Sequence, residues 1–473
     1  MNFLKNILTI TFVFLFFGSE AQEKWTLDKC IEYAFDNNIS IKQQKLNIQI
    51  NENIFRQSKL STLPNLNAGS DYNMNFGRTV DKYTNKFSDS NVKSANFYIT
   101  SSITLFNGFQ TYNNIQKNKY SLLASLQDFE KMKDDISLNI ATAFLQILFN
   151  KEIVKISENK LELSKAQEKR ISILVKAGRL TESDLFDLQA QTANDELQLL
   201  NSQSQLKNSV LILKQFLDLQ NDTVFEIDIP DIKELKNTDI NYTIGEIYEL
   251  AQTLPQIKSA EYKILASEKD LAKAKGGISP KLSLTMSYST GFSDARKRYS
   301  AGDTVVVPSG YVGGTFQTVY SYSPSFEENI YPFGNQLSDN ASMAVGFRLS
   351  IPIFNNWQVK TNINNTKISV LNNQFYLQNQ KNTLYKDIQK AYFDAQTAAL
   401  KYKSSNKAVS ANEKAFQNTE KRFNLGILNT NDYNISKNKY IQAKSELIKA
   451  KYEFLFRKSI LDFYAGKKIS INN

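Results

Sequence analysis

Two hydrophobic periods divide this chain. Phe97, Ile99, Ile103 and Leu105 alternate with Tyr98, Thr100, Ser102 and Thr104, and Met343, Val345, Phe347, Leu349, Ile351 and Ile353 alternate with Ser342, Ala344, Gly346, Arg348, Ser350 and Pro352. The same beat sets Leu282, Leu284, Met286 and Tyr288 against Ser283, Thr285, Ser287 and Ser289. It also sets Leu66, Ala68, Tyr72, Met74 and Phe76 against Asn67, Gly69, Asp71, Asn73 and Asn75. A period of two predicts strands with one apolar and one polar face, here two hairpins of two strands each. Strands of a soluble sandwich recur about every 8 to 12 residues throughout, whereas only four strands of about ten residues are predicted here. That length suits a tilted strand crossing a membrane.

Elsewhere the period turns helical. Neither proline nor glycine occurs between Thr111 and Lys176 or between Thr361 and Asn424. Near-continuous helices of about 60 residues reach roughly 90 to 100 Å, which no compact domain holds. The segments that return from them carry seams spaced alternately three and four. One seam is Leu185, Leu188, Thr192, Asp195, Leu199, Ser202, Leu206, Ser209, Leu213 and Phe216. The other is Tyr433, Ser436, Tyr440, Ala443, Leu447, Ala450, Phe454, Arg457, Leu461 and Tyr464. Such spacing predicts coiled-coil packing, and the small and polar members keep it from being a dry zipper.

These patterns occur twice. ITLFNGFQTYNNIQ, from Ile103 to Gln116, matches IPIFNNWQVKTNIN, from Ile351 to Asn364, at an offset of 248 residues. At that offset Phe106 meets Phe354, Asn107 meets Asn355, Ala143 meets Ala391, Gly178 meets Gly426 and Asp184 meets Asp432. Earlier in each half the offset is 216, pairing Pro64 with Pro280, so an insertion falls in the Tyr- and Gly-rich stretch 292–340. The predicted organisation is a first repeat over 22–218, a linker over 219–242 and a second repeat over 243–473. Residues 1–21, with Lys5, an apolar run from Ile7 to Phe17 and Ser19-Glu20-Ala21, predict a cleaved signal peptide. The apolar core is too short for a spanning helix.

Composition narrows the chemistry. The 473 residues hold 41% apolar side chains, one cysteine, no histidine and a formal net charge of +10. One cysteine forms no internal disulfide, and the lack of histidine removes the commonest metal ligand and general base. Cys30 reads as a small buried hydrophobe on an amphipathic helix. The lysines are spread over helical faces as solvated surface, so no nucleic-acid partner is predicted. No phosphate-binding Gly-Lys-Ser/Thr loop is present, and no cofactor, metal site or enzyme activity is predicted.

Four strands with a lipid-facing side cannot leave open edges in a bilayer, because each unpaired backbone group there costs several kcal/mol. Other copies of the chain must close the sheet. Two copies give a filled eight-stranded barrel, and three give twelve strands and a lumen that suits the polar Thr, Ser, Asn and Asp face.

With TLDKCIEYAFDNN, LPNL, AFLQILFNKE and KAGRLTESDLFDLQAQ in this order, and the order then repeated, the chain resembles the TolC-type outer-membrane efflux proteins. The resemblance implies a membrane α+β fold built from two internal repeats. It implies a homotrimeric twelve-stranded β-barrel, four strands per chain, in outer-membrane lipid, continued by a long α-helical coiled-coil tunnel in the periplasm. It further implies a passive exit duct of a tripartite efflux or type I secretion system, with a periplasmic adaptor (membrane fusion) protein and an inner-membrane transporter as partners. A periplasmic coiled-coil adaptor or structural protein is the alternative, which would share the helices and lack the strands.

The turns GRLTESDLF and GILNTNDYN hold the candidate site residues. Read from the residues, Gly178 and Gly426 are helix C-caps, and Thr181 or Asn429 is an N-cap with Asp184 or Asp432 three residues on. The resemblance gives Asp184, Asp187 and Asp432 a place at the periplasmic entrance, and Gly178, Arg179 and Gly426 a place in the adaptor contact. Ile435 stands where the family often has a second acid, and Leu428 stands where it often has a basic residue, for which Arg179 or Arg422 is the candidate substitute. The stretch 292–340 is expected to be an extracellular loop. Phe106, Phe354 and Trp357 are expected at an interfacial girdle or at the strand-to-helix junction.

Overall fold

The computed structural model describes residues 24–83, 85–88, 91–219, 225–228 and 239–467. The predicted signal peptide and most of the predicted linker lie outside the described residues. Helices α1 (Leu27–Asn37) and α2 (Ile39–Leu60) lead to strands β1 (Asn65–Asn75), β2 (Thr79–Val80), β3 (Phe87–Ser88) and β4 (Val92–Phe106), then to α3 (Gln110–Lys176) and α4 (Glu182–Phe216). The second half holds α5 (Ile244–Ala251), α6 (Pro255–Gly276), β5 (Lys281–Ser293), β6 (Lys297–Tyr311), β7 (Thr318–Ile330), α7 (Phe333–Asp339), β8 (Ser342–Ser350), α8 (Gln358–Asn424) and α9 (Thr430–Tyr464). The chain forms two compact units, and each draws on both halves of the sequence. Of the described residues, one takes those of 53–119 and 266–370, and the other those of 24–52, 120–265 and 371–467.

The helices follow the absence of breakers. Both α3 and α8 run for 67 residues, about 100 Å each, and both α4 and α9 for 35. In the helical unit, Phe144, Ile140, Ile147 and Leu148 of α3 pack with Leu213 and with Cys30 and Ala34 of α1. Each large side chain buried there contributes roughly 1.5 to 3 kcal/mol. Helix α1 starts where Thr26 accepts from the Lys29 amide at 3.2 Å. Cys30 is fully buried, and burial pushes its thiol up to about 12. Described pieces of the predicted linker also pack: Trp25 and Ile227 form a parallel bridge, and Ile227 joins the core of α1 and α3. A second core sets Ile247 and Ala251 of α5 against Leu384, Ile388 and Ala395 of α8.

In the sheet unit, four antiparallel strands lie in the order β1-β4-β5-β8. The register puts Leu66, Ala68, Phe97, Ile99, Leu284, Met286, Tyr288, Met343, Val345 and Phe347 on one face. Asn67, Asp71, Asn96, Thr100, Thr285, Ser287, Ser342 and Arg348 take the other. Strand β8 stops at Ser350, short of the predicted Ile353, because Pro352 has no N–H to donate to the ladder.

The paired sequences that opened the repeat are the turns from strand into long helix. Gly108 and Phe109 have φ of 64° and 60°, and Asn356 and Trp357 have φ of 51° and 61°. Two successive left-handed residues turn the chain sharply. Gln110 then donates to the Asn107 carbonyl at 3.3 Å, and Gln358 to that of Asn355 at 3.0 Å. Only glycine fits at Gly108, where a Cβ would lie 2.5 Å from the carbonyl oxygen of Gly276.

The expectation of only four long strands is corrected: the stretch 292–340, expected to be an extracellular loop, carries regular structure. Strands β6 and β7, of 15 and 13 residues, form a second hairpin, and α7 follows it. Thr304–Val307 and the residues Tyr320, Tyr322 and Phe326 carry strong strand propensity. Pro308, Pro324 and two register shifts blur the alternation that identified the other strands. Helix α7 covers the part of β5 that β8 leaves unpaired: Asn340 donates to the Gly291 carbonyl at 2.7 Å, and Gln336 to the Ser293 carbonyl at 3.0 Å.

Candidate functional site

The two helix-hairpin tips are built alike. Past α3, Gly178 adopts φ 70° and its amide donates to the Val175 carbonyl, while Arg179 donates to Leu174, both at 2.9 Å. Past α8, Gly426 adopts φ 76°, and Ile427 donates to Arg422 at 2.9 Å. Both are left-handed caps that satisfy the last carbonyls of the helix. Three residues past each glycine, the next helix is capped at its start. Thr181 accepts from the Asp184 amide at 3.3 Å while the Asp184 carboxylate accepts from the Thr181 amide at 3.1 Å, a complete capping box. Asn429 accepts from the Asp432 amide at 2.8 Å without the reciprocal bond.

The structure therefore places Asp184 half-buried on its own cap, and leaves Asp187, Asp432 and Arg179 exposed. No hydrogen bond or ion pair among the described residues joins these three acids to a basic side chain. The contact between the tips joins seam residues to others the sequence did not single out. Arg170 donates to Asn424 and stands 5.8 Å from the Phe423 ring centroid, so it, and not Arg179 or Arg422, bridges the hairpins. Beneath it Ile171 and Leu188 pack with Phe416, Phe423 and Tyr433. Tyr433 stacks on Phe423 at 4.6 Å, and burial pushes its hydroxyl up to about 12.

Deeper in the same bundle lies a buried ionic cluster. Asp195 and Lys437 are 1% and 2% exposed. Asp195 accepts from Ser164 and from Gln191 at 2.7 Å, and pairs with Lys160 at 2.9 Å. Lys437 reaches from α9 to donate to Ser164 at 2.6 Å and lies 3.9 Å from Asp195. Desolvation pulls the Lys437 ammonium down to about 8, against the attraction of Asp195 and with the repulsion of Lys160. Asp195 was legible as a polar member of the coiled-coil seam. Lys437 was not, because a lysine on a polar helix face reads as solvated.

The sheet supplies the other functional surface. In a single chain its apolar face is open: Leu66 is 75% exposed, Phe347 73% and Val345 56%. The outer edges of β1 and β8 pair with no other strand among the described residues. Phe354 and Trp357, at the turn into α8, are exposed as well. Among the described residues, no helix is long and apolar enough to cross a membrane, and no group of acidic, His or Cys side chains could hold a metal ion.

Comparison with known proteins agrees with these surfaces. Solved outer-membrane channels share the fold. The outer membrane protein VceC of Vibrio cholerae superposes with a TM-score of 0.74 at 13% identity, covering 94% of this chain and 97% of that one. The CmeC outer membrane channel of Campylobacter jejuni gives 0.71 at 17% identity over 94% and 86%. The open-state MtrE outer membrane channel of Neisseria gonorrhoeae gives 0.71 at 14% identity over 94% and 90%. No curated protein sequence matches the chain. The sequence profile of the outer membrane efflux protein family matches residues 30–217 and 247–466. The chain belongs to the outer membrane efflux protein family, whose members are channels and not enzymes.

Proposed function

We propose that three copies of this chain form a twelve-stranded barrel in the outer membrane, continued by a helical tunnel in the periplasm, and act as the passive exit duct of a tripartite efflux or type I secretion system. The observation that carries this reading is the four-stranded sheet, with one open apolar face, one polar face and two edges that pair with no other strand among the described residues. Lipid covers the first, water fills the second, and neighbouring copies satisfy the edges. The long helices are too extended to serve a compact domain. An inner-membrane transporter supplies the energy, and a periplasmic adaptor docks on the tips at Gly178, Arg179 and Gly426. Asp184, Asp187 and Asp432 of three copies ring the periplasmic entrance.

The mature protein, extracted from outer membranes in detergent, is expected to have the mass of a trimer that heat dissociates. Phe347→Arg and Leu349→Arg should block assembly, because a lipid-facing charge costs roughly 2 to 4 kcal/mol, while Ser350→Arg on the polar face should assemble. A stable monomer, or equal assembly of all three variants, refutes the barrel. Asp184→Asn with Asp432→Asn should lower cation preference in planar bilayers without unfolding the tips, since the N-caps Thr181 and Asn429 are kept. Unchanged selectivity and conductance would leave these acids as caps alone.

A further inference from the structure

At the end of the sheet remote from the starts of α3 and α8, a short piece of chain is fastened across the polar face. It runs from β2 through Asp81, Lys82 and Tyr83. The Tyr83 hydroxyl donates to the Ala95 carbonyl and lies within hydrogen-bond reach of the Asn96 side chain, both at 3.3 Å. It rests on Gly291, where a Cβ would fall 1.6 Å from the hydroxyl oxygen, so a side chain at this position would push the tyrosine away. Asn96 and Gly291 are paired across β4 and β5, and Asn96 also faces Asp71 of β1, all on the polar side. A second fastening lies next to the first. Ser293 donates to the Asp81 carboxylate, and the two residues are 0% and 3% exposed. Asp81 also accepts from the Tyr83 amide at 3.1 Å and donates its own amide to the Lys86 carbonyl at 3.0 Å, which holds the strap in shape.

Burying a carboxylate costs several kcal/mol unless it is fully bonded, so a surface loop seldom acquires one without a structural need. Helix α7 is fastened elsewhere on the same strand end, with Phe333 against Phe97 and Phe292 of the apolar face. Among the described residues, the strap lies over the polar face at Asn96, Gly291 and Ser293.

We propose that Asp81–Tyr83 of each chain, laid over Gly291 and Asn96, form the size-limiting constriction at the outer mouth of the channel. This rests on the trimeric barrel proposed above. Twelve strands about 4.8 Å apart and tilted about 40° enclose a backbone radius of about 12 Å. Chain packed on a sheet face stands up to about 10 Å from it. Three straps therefore narrow the lumen at this level below the width of the rest of the barrel. Cargo that passes the rest of the barrel is selected for size here.

The test is single-channel conductance of the full-length protein in planar bilayers, with its mass in detergent measured in parallel. Tyr83→Ala and Asp81→Ala should each raise conductance at least about twofold, since conductance follows the narrowest cross-section. Gly291→Ala, which displaces the tyrosine without altering the strap, should do the same. Gly310→Ala, at a β6 position with open space, should not. Trimeric variants that all conduct like the wild type overturn the constriction and leave the barrel intact. A wild-type protein that forms no trimer overturns both. If Asp81→Ala does not assemble, Tyr83→Ala and Gly291→Ala, which spare the buried carboxylate, decide the matter.

Discussion

The hairpin of α3 and α4 and the hairpin of α8 and α9 match in length, in their left-handed C-caps and in the position of their N-caps, yet their interiors differ. Asp195, Ser164 and Lys160 sit on the first, and at the 248-residue offset their places are taken by Ala443, Asn412 and Ala408. Lys437 sits on the second, opposite Gln189 in the alignment. A duplicated backbone framework has become complementary, with an anion and its serine on one hairpin and a cation on the other. Apolar contacts such as Ile171 on Phe423 give attraction without much preference for register. A buried ion pair is often no more stabilising than apolar residues of the same volume, but it tolerates only one register, because every slip leaves a charge unpaired. The difference between the halves therefore holds one hairpin against the other in a single alignment.

The largest effect should come from breaking this asymmetry on one side. Asp195→Ala leaves the Lys437 ammonium buried and unpaired, and is expected to weaken docking of α9 by about 3 to 5 kcal/mol. Hydrogen exchange along α9 measures this, and Asp195→Leu with Lys437→Met should recover most of the loss. Equal exchange in the single and double variants would show that the cluster carries no coupling.

The same lysine gives a pH dependence of its own. Its folded pKa, about 8, lies below the ordinary 10.5, so the fold penalises the protonated form. The penalty is complete below pH 8 and fades as pH rises towards 10.5. Protection of α9 around Lys437 should therefore increase between pH 7.5 and 9.5, and Lys437→Met should abolish that increase.

The strand-to-helix turns offer a smaller contrast. Gly108→Ala combines a left-handed φ with a clash on the Gly276 carbonyl, and should cost more than the roughly 1 kcal/mol of left-handed strain expected for exposed Asn356→Ala. Thermal stability of the assembled channel measures both. If the two are equal, close approach at Gly276 is not what fixes the glycine.

The smallest effect belongs to the caps. Thr181→Ala removes a complete capping box, and Asn429→Ala a single bond, so exchange in the first turn of α4 should rise more than in α9, with each change near 1 kcal/mol.

Element types were legible wherever the pattern was long and uninterrupted. The absence of proline and glycine gave α3 and α8 nearly to the residue, and alternation gave β1, β4, β5 and β8. The hairpin of β6 and β7 was not legible, because Gly302, Pro308 and Pro324 interrupt its alternation and only pairing with the opposite strand reveals it. Of the candidate site, the caps could be read directly, since a cap is a bond between residues three to five apart. Arg170 and Asn424, far apart in sequence, gave no local signal.

The sequence by itself determined the local structure of this protein wherever its pattern is unbroken: the long helices and where each stops, the four strands of the sheet, and which face of each of those strands is apolar. These depend on propensity, on periodicity and on bonds between near neighbours. Only the tertiary structure decided that β4 pairs with β5, that Lys437 meets Ser164 and Asp195, and that Tyr83 settles on Gly291. Such contacts join residues tens to hundreds of positions apart, and their energies come from burial and geometry that a chain acquires only on folding.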